Sequence, residues 1–456
     1  MRPEDLTGPD REQWLSKPEA ELRTLLEELH PEDLAQALNV IEEPDDVTRI
    51  MRALSVEMSA QVMERLSSDR QGDVLESVHK DQAVEILSEM APDDRADLVQ
   101  ELPADQRETL LEHLRETAPQ IAEEVHELSS YGEDTAGGLM TTEFVALQPS
   151  MRVEGAINEV RRASKREETE HIYYVYVLYG DKLVGVVSLR QLLLSEPDKR
   201  LEEIMETNVV RLAPTEDQEK VAVQIAKYDL SALPVVDDQG NMLGVVTVDD
   251  VVDVVIEEAT EDAQRMGGVM PLEDSYLQTS FLTFIRKRVG WLVVLFLGEM
   301  LTATVMERHN IHAIAGLSVF VPLIIATGGN SGSQSSSLII RALAVGEVRP
   351  RDWWRVLGRE LGIGLVLGLA LGAVGFARAF LLGTFHGSIA LAVTIAGSIM
   401  AVVTLGTLMG SLLPLGIRRL GLDPAVSSTP FIASLVDVLG LLVYFTIAGL
   451  IFGISV

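Results

Sequence analysis

Five apolar runs crowd the C-terminal part of this 456-residue chain, and the fifth, "PFIASLVDVLGLLVYFTIAGLIF", carries a single carboxylate, Asp437. The runs cover residues 289–306, 311–326 with a polar continuation, 361–382, 389–415 and 431–454. Each is long enough to cross a hydrocarbon core of ~30 Å. Lipid offers no partner to a bare backbone, so such runs fold as helices that satisfy their own amides. Charge divides the chain at the same place. There are 25 Lys/Arg against 62 Asp/Glu before Phe281, and 12 against 7 from Phe281 onward. An acidic soluble portion of net −37 precedes an apolar portion of net +5.

The opening "MRPEDLTGPDREQW" has no apolar core or cleavage signature, so no secretory signal is expected and the acidic portion is expected in the cytoplasm. The inside flanks of the spans then carry Arg286, Lys287, Arg288, Arg341, Arg349, Arg351, Arg355, Arg359, Arg418 and Arg419, and the outside flanks only Arg308 and Arg378. That asymmetry predicts a multi-pass protein of the cell membrane with its N-terminus inside and its C-terminus outside. The acidity argues against nucleic acid as a partner. It argues equally against lying on anionic lipid unless cations screen it. With no cysteine, disulfides and thiolate metal sites are excluded.

Two features break the apolar pattern. "ATGGNSGSQSSS", residues 326–337 and including Asn330, cannot face lipid, because its freed backbone groups would be unpaired; it must be buried in protein or line a wet path, or its small residues let helices approach closely. Asp437 at mid-helix costs roughly 2.5–3.5 kcal/mol on insertion scales. At helical spacing Pro430, Ala433, Ser434, Asp437 and Gly440 form one stripe of small neighbours, which leaves room for a hydrated ion. The alternative is a pair with Arg378 or His312. Glu299, in "LFLGEMLTATVM", is a second membrane acid, either lining a pore or hydrogen-bonded to Thr302 or another span.

Within the acidic portion, "LHPEDLAQAL", "LSVEMSAQVMERL", "LSSDRQGDVLESV", "HKDQAVEILSEM", "APDDRADLVQEL" and "PADQRETLLEHL" repeat one theme: a helix-starting cluster, then apolar residues at helical spacing. Units this short bury a core only by stacking, which predicts a helical superhelix. A second repeat follows: "GDKLVGVVSLRQLL" parallels "QGNMLGVVTVDDVV", and "TEHIYYVYVL" parallels "YDLSALPVVD". It resembles a tandem CBS pair, a module that binds adenosine nucleotides or acts as a ligand-operated hinge. The second copy has Gly244, Thr247 and Asp250, matching the G-x-x-[ST]-x-x-D ribose-reading pattern; the first has Gly185 and Ser188 but Gln191. The resemblance therefore implies ATP or another adenosine nucleotide on one copy only. The plainer reading is that Asp249 and Asp250 start a helix. Glu257, Glu258, Glu261 and Asp262 then crowd one helix, where like charges repel unless a hard cation gathers them.

The order of parts, with "PLIIATGGNSGSQ", "RALAVGEVRPRDWWRV", "GLDPA" and "LVDVLGLLVYF", resembles the MgtE family of magnesium channels over nearly the whole chain. The expected fold is multidomain: an all-α helical superhelix (1–130), two α/β CBS modules (131–200 and 201–262), a linking helix (263–288) and an all-α membrane domain of five helices (289–456). The resemblance implies a homodimer with its pore on the two-fold axis, in which Asp437 and the backbone at Ala433 hold the waters of Mg²⁺. Asn330, Ser434 and Glu299 are further pore-lining candidates on the residue reading above, and the resemblance assigns Glu299 no role. It implies regulatory Mg²⁺ sites at Asp93, Asp97, Glu219, Asp229, Asp250, Asp253, Glu258, Glu261, Asp262 and Asp423. Thr429 stands where relatives carry Asn.

The function so implied is passive Mg²⁺ import gated by internal Mg²⁺. No G-x-x-x-x-G-K-[ST] loop points to ATP-driven pumping, and no enzymatic activity is expected. A broader Co²⁺ or Mn²⁺ transporter and a CBS-regulated membrane sensor without transport are the alternatives. A membrane protease needs H-E-x-x-H, which "HELSS" at His126 does not supply.

Overall fold

The structure is a computed structural model describing residues 6–7, 11–41, 43–165, 172–272, 276, 279–308, 316–381 and 388–453. Its two compact units are Met1–Ile256 and Glu257–Val456.

The first unit begins with the stacked helices expected from the repeat. They include Pro31–Val40, Pro44–Ala53, Val56–Met63, Ser68–Ser77, Lys80–Glu89, Pro92–Glu101, Ala104–Thr117 and Pro119–Leu128. Proline opens four of these, at positions where its missing N–H costs nothing. Ser55 caps another by accepting from the Met58 N–H at 3.4 Å. Through most of the stack a helix packs on the next but one, so that Val56–Met63 meets both Pro31–Val40 and Lys80–Glu89, while Ala104–Thr117 packs most on the adjacent Pro119–Leu128. One continuous apolar core runs from Leu6 to Val125.

Two small sheets follow. In the first, β1 (Val145–Leu147) lies parallel to β2 (Tyr174–Tyr179), which pairs antiparallel with β3 (Lys182–Ser188). In the second, β4 (Ala232–Val236) pairs antiparallel with β5 (Met242–Thr247), and Leu212 bridges to Val235 in parallel, where β1 stands in the first copy. The copies also match at their edges. Thr141 exchanges backbone hydrogen bonds with Val245 at 2.9 Å, and Glu206 does so with Val186 at 2.9 and 3.0 Å. A Cβ at Gly244 would lie 2.6 Å from the Thr141 carbonyl oxygen, and one at Gly185 3.1 Å from that of Glu206. Each motif glycine therefore makes room for a backbone crossing.

The second unit contains five long helices: Phe281–Arg308, Leu317–Ala344, Trp353–Leu381, Ile389–Arg419 and Thr429–Phe452, first to fifth below. The first, third, fourth and fifth are long and apolar enough to cross a membrane. The second has 28 residues but owes its place to length and packing, because "GGNSGSQSSS" dilutes its apolar character. Residues 311–315 (His312 among them), 382 and 454, the ends of three expected spans, lie outside the described residues.

Two expectations change. The polar stretch of the second helix frees no backbone groups: the α-helix runs unbroken through it. Its serines are also engaged, Ser331 donating to the Val403 carbonyl, Ser333 to that of Thr429 and Ser335 to the Glu360 carboxylate. The linking helix expected at 263–288 is not a separate element among the described residues; 273–275 and 277–278 lie outside them. Val248–Met266 is one helix that ends at Gly268, in the left-handed region with φ 74°. The next begins at Phe281 behind Ser280, whose Oγ accepts from the Thr283 N–H at 3.2 Å. Arg286–Arg288 thus belong to the first long helix.

Candidate functional site

Three groups of carboxylates stand out, one among the long helices and two outside them. Asp437 lies a little over two turns into the fifth helix and is half-buried. A Cβ at Gly329 of the second helix would lie 3.3 Å from Asp437 Oδ1 and 3.4 Å from Ala433 Cβ. Only glycine leaves open space there, and Asn330 beside it is exposed. Among the described residues Asp437 makes no ion pair. The charged neighbour it feels is Glu299, which is also acidic. Ser434 Oγ donates to Glu299 Oε1 at 3.2 Å. The structure thus sets Asp437 and Ala433 against Gly329, and joins Ser434, one turn before Asp437, to Glu299. The face of the second helix bearing Gly328 and Gly332 serves close packing instead, against Val402 and Gly406 of the fourth helix.

The second group sits where the helical stack meets the α/β pair, inside the first unit. Asp93 and Asp94, from Pro92–Glu101, line one small cavity together with Thr141, Glu143, Tyr176, Thr247 and Asp250. Asp93 is only 8% exposed, and its Oδ1 is buried without a hydrogen-bond partner. Burial, then the charges of Asp250, Asp94 and Asp97, push its carboxyl well above the ordinary 3.8. The neighbouring cation Arg95 is buried too, but it is engaged by Glu124 at 3.3 Å. Nearby, burial and the charges of Glu32 and Asp249 raise the Asp253 carboxyl, with Arg65 opposing them. Glu32 and Asp94 were not singled out from sequence, because their partners come from elements far away in the chain.

The third group belongs to the second unit. Burial, then Asp423 and Glu258, raise the Asp262 carboxyl, against the pull of Arg265 and Arg341. Arg265 Nη1 pairs with Asp423 Oδ2 at 2.6 Å, and Arg265 also pairs with Glu261. Asp423 Oδ1 accepts from the Ala425 N–H at 2.8 Å. This group therefore carries its own cation, which sequence reading missed; the Glu261–Arg265 spacing of four was the available signal. Just beyond, Thr429 Oγ1 donates to the Met266 carbonyl at 3.1 Å, and Trp291 Nε1 donates to Ser428 Oγ at 2.8 Å. The end of this acidic helix is thereby fastened to the start of the helix that bears Asp437.

Two further candidates lie on or at the end of one helix, Gln218–Tyr228. Asp229 is exposed and is the left-handed cap (φ 51°) of Gln218–Tyr228, a conformation that Asp tolerates. Glu219 is in the first turn of the same helix. Among the described residues no three Asp, Glu or His side chains converge closely enough to encage a bare ion. A magnesium ion held through its own waters needs no such cage.

The nucleotide pattern is present in chemistry but not in space. Thr247 Oγ1 donates to Asp250 Oδ2 at 2.6 Å. The buried Tyr176 hydroxyl on the cavity wall has no hydrogen-bond partner. The room is only about 30 Å³, however, which suits a water or a cation, and acidic side chains line it. Residues 166–171, which precede the lining Ile172 and Tyr173, lie outside the described residues. A buried carboxylate with one oxygen unpartnered among the described residues, and a second carboxylate near it, suit a divalent cation.

Comparison with known proteins agrees with this division. Residues 321–447 match the model of MgtE, described as a divalent cation transporter. Residues 18–134 match the MgtE intracellular N domain, and 136–197 and 201–257 match the CBS domain. The chain is 42% identical over 339 residues to the magnesium transporter MgtE of Thermus thermophilus, covering 73% of each. It is similar to the crystal structure of the soluble part of a magnesium transporter, at 33% identity and TM-score 0.50, over 54% of this chain and 96% of that one. It is also similar to the cytosolic domain of the Mg²⁺ channel MgtE in complex with ATP, at 39% identity and TM-score 0.48, over 51% and 93%.

Proposed function

The chain belongs to the MgtE family of divalent cation transporters, and from that premise we propose that it conducts hydrated Mg²⁺ into the cell through a homodimeric pore gated by internal Mg²⁺. The observation that carries this reading is Asp437: an acid within an apolar helix, half-buried, without an ion pair among the described residues, facing the bare backbone of Gly329. Two symmetry-related copies supply −2 against the ion's +2, which offsets the cost of placing each acid in the membrane. Mg²⁺ gives up its waters reluctantly, so Asp437 and the Ala433 backbone recognise the hydrated ion through them. With the N-terminus inside and the C-terminus out, the membrane potential drives entry at ~2.3 kcal/mol per charge per 100 mV.

The off-switch is the acidic portion. When internal cations are scarce, Asp93 and Asp250 repel across their interface, and Asp262 meets Glu258 and Asp423 with Arg265 and Arg341 to relieve it. When cations are plentiful these carboxylates draw together. The second unit supplies the connection: Arg265–Asp423 and Thr429–Met266 pass the position of the acidic helix to the fifth helix. This is a coupling of two sites through one two-state element. No step passes through a nucleotide.

A broader divalent transporter is the second reading. The oxygen-only side chains around Asp437 favour a hard cation over a softer one. Flux into vesicles decides between them. Wild-type protein is expected to admit Mg²⁺ and Asp437→Ala to lose that flux, while equal uptake of Co²⁺ or Mn²⁺ would favour the broader reading and undiminished flux through Asp437→Ala would end both.

A further inference from the structure

Glu299 has no role implied by resemblance, and its surroundings call for one. It lies in the apolar part of the first long helix, exposed beside the exposed side chains of Phe296, Leu297, Met300 and Leu301. A carboxylate facing lipid there is costly, so such a group normally serves a wet path or a partner. The hydrogen bond to Thr302 considered from sequence is not made: the Thr302 hydroxyl is buried without a partner. Glu299 accepts instead from Ser434 of the fifth helix. The two helices come close at this level, because a Cβ at Gly298 would stand 3.6 Å from Ser434 Cβ. Ser434 lies one turn before Asp437, and among the described residues neither acid has a cation beside it.

We propose that Glu299 is a positioning acid that sets the apparent affinity of the ion path, held by Ser434 so that each protomer offers two negative charges, rather than one, to a hydrated divalent cation. The proposal rests on the reading of Asp437 given above. Glu299 reaches the ion through its waters and its field, while Asp437 makes the closer contact. A dimer then presents four carboxylates to one doubly charged ion, which loads at lower concentration and leaves more slowly than from Asp437 alone.

The alternative is that Glu299 is only glue between two helices, and chemistry separates the roles. Gln at 299 keeps an oxygen that accepts from Ser434 but removes the charge. Asp keeps the charge on a shorter stem. The full chain is reconstituted into vesicles, and initial Mg²⁺ flux is measured against external Mg²⁺. Glu299→Gln is expected to raise the half-saturating concentration about three- to tenfold with maximal flux preserved or increased. Glu299→Asp is expected to recover most of that shift. Ser434→Ala, which leaves both acids but frees Glu299, is expected to move half-saturation the same way by a smaller factor. Half-saturation unchanged in Glu299→Gln overturns the proposal. If that variant does not fold, unchanged half-saturation in Ser434→Ala overturns it instead. Asp437→Asn distinguishes the premise: normal flux there defeats the reading of Asp437 itself, whereas lost flux with an unresponsive Glu299→Gln defeats only the role of Glu299.

Discussion

The two acidic groups outside the membrane path are built from the same residue types and differ in one respect. Around Asp262 and Asp423 the chain supplies its own cation, Arg265. Around Asp93 and Asp250 the neighbouring cation Arg95 is committed to Glu124, and Asp93 keeps a buried oxygen without a partner among the described residues. The first group is partly neutralised by the chain itself. The second is unfavourable until something positive enters, because desolvation and like charges act in the same direction on Asp93. A sensor needs a contact of the second kind, and a transmission joint needs one of the first.

The largest expected effect tests the bare group. In the full chain, internal Mg²⁺ should slow amide exchange of the Pro92–Glu101 helix about tenfold, as a ligand that binds only the closed form would. In Asp93→Asn/Asp250→Asn that response should vanish; an unaltered response would place the sensor elsewhere. Next is pH without Mg²⁺. The folded-state pKa of Asp93 is raised, so the folded chain holds a proton that the unfolded chain has released, and stability falls as pH rises above the ordinary 3.8 through the raised value. Added Mg²⁺ should therefore raise the thermal midpoint by a few degrees at about pH 8 and by much less at about pH 5, since a proton and a cation relieve the same charge. Equal gains at both would break the contrast.

A smaller effect is expected at the self-neutralised group. Arg265→Gln removes a competing cation, so the Mg²⁺ concentration that half-closes the channel should fall about threefold. A rise would mean that Arg265 acts by holding the joint and not by competing. The smallest effect is at Asp229: Asp229→Asn keeps the left-handed cap and should leave the half-closing concentration unchanged within error, whereas a clear shift would bring Asp229 back among the regulatory residues.

How far the site was legible follows from the range of each interaction. Asp437 was visible because one acid in an apolar run is costly wherever it lies. The ribose pattern was visible as well, but not that acidic side chains from a helix over a hundred positions earlier would shrink its cavity. The polar run of the second helix was misjudged in one respect. Glycine, asparagine and serine suggested freed backbone, yet serines engaged by neighbouring helices and glycines at crossings keep it helical. The linking helix was misjudged because an apolar period continues through residues 281–288 into the span, while the break is made by Gly268 and Ser280.

By itself the amino-acid order determined the layered plan of this protein: the acidic stack, the paired α/β modules, the apolar helices and the acid in the fifth. Periodicity, capping residues and hydropathy act within a few turns of chain, so they can be read locally. Only the tertiary structure decided which carboxylates face each other, that Arg265 answers Asp423 and that Ser434 holds Glu299. Those contacts join positions up to about 160 residues apart. Their energies depend on burial and distance, which no local pattern encodes.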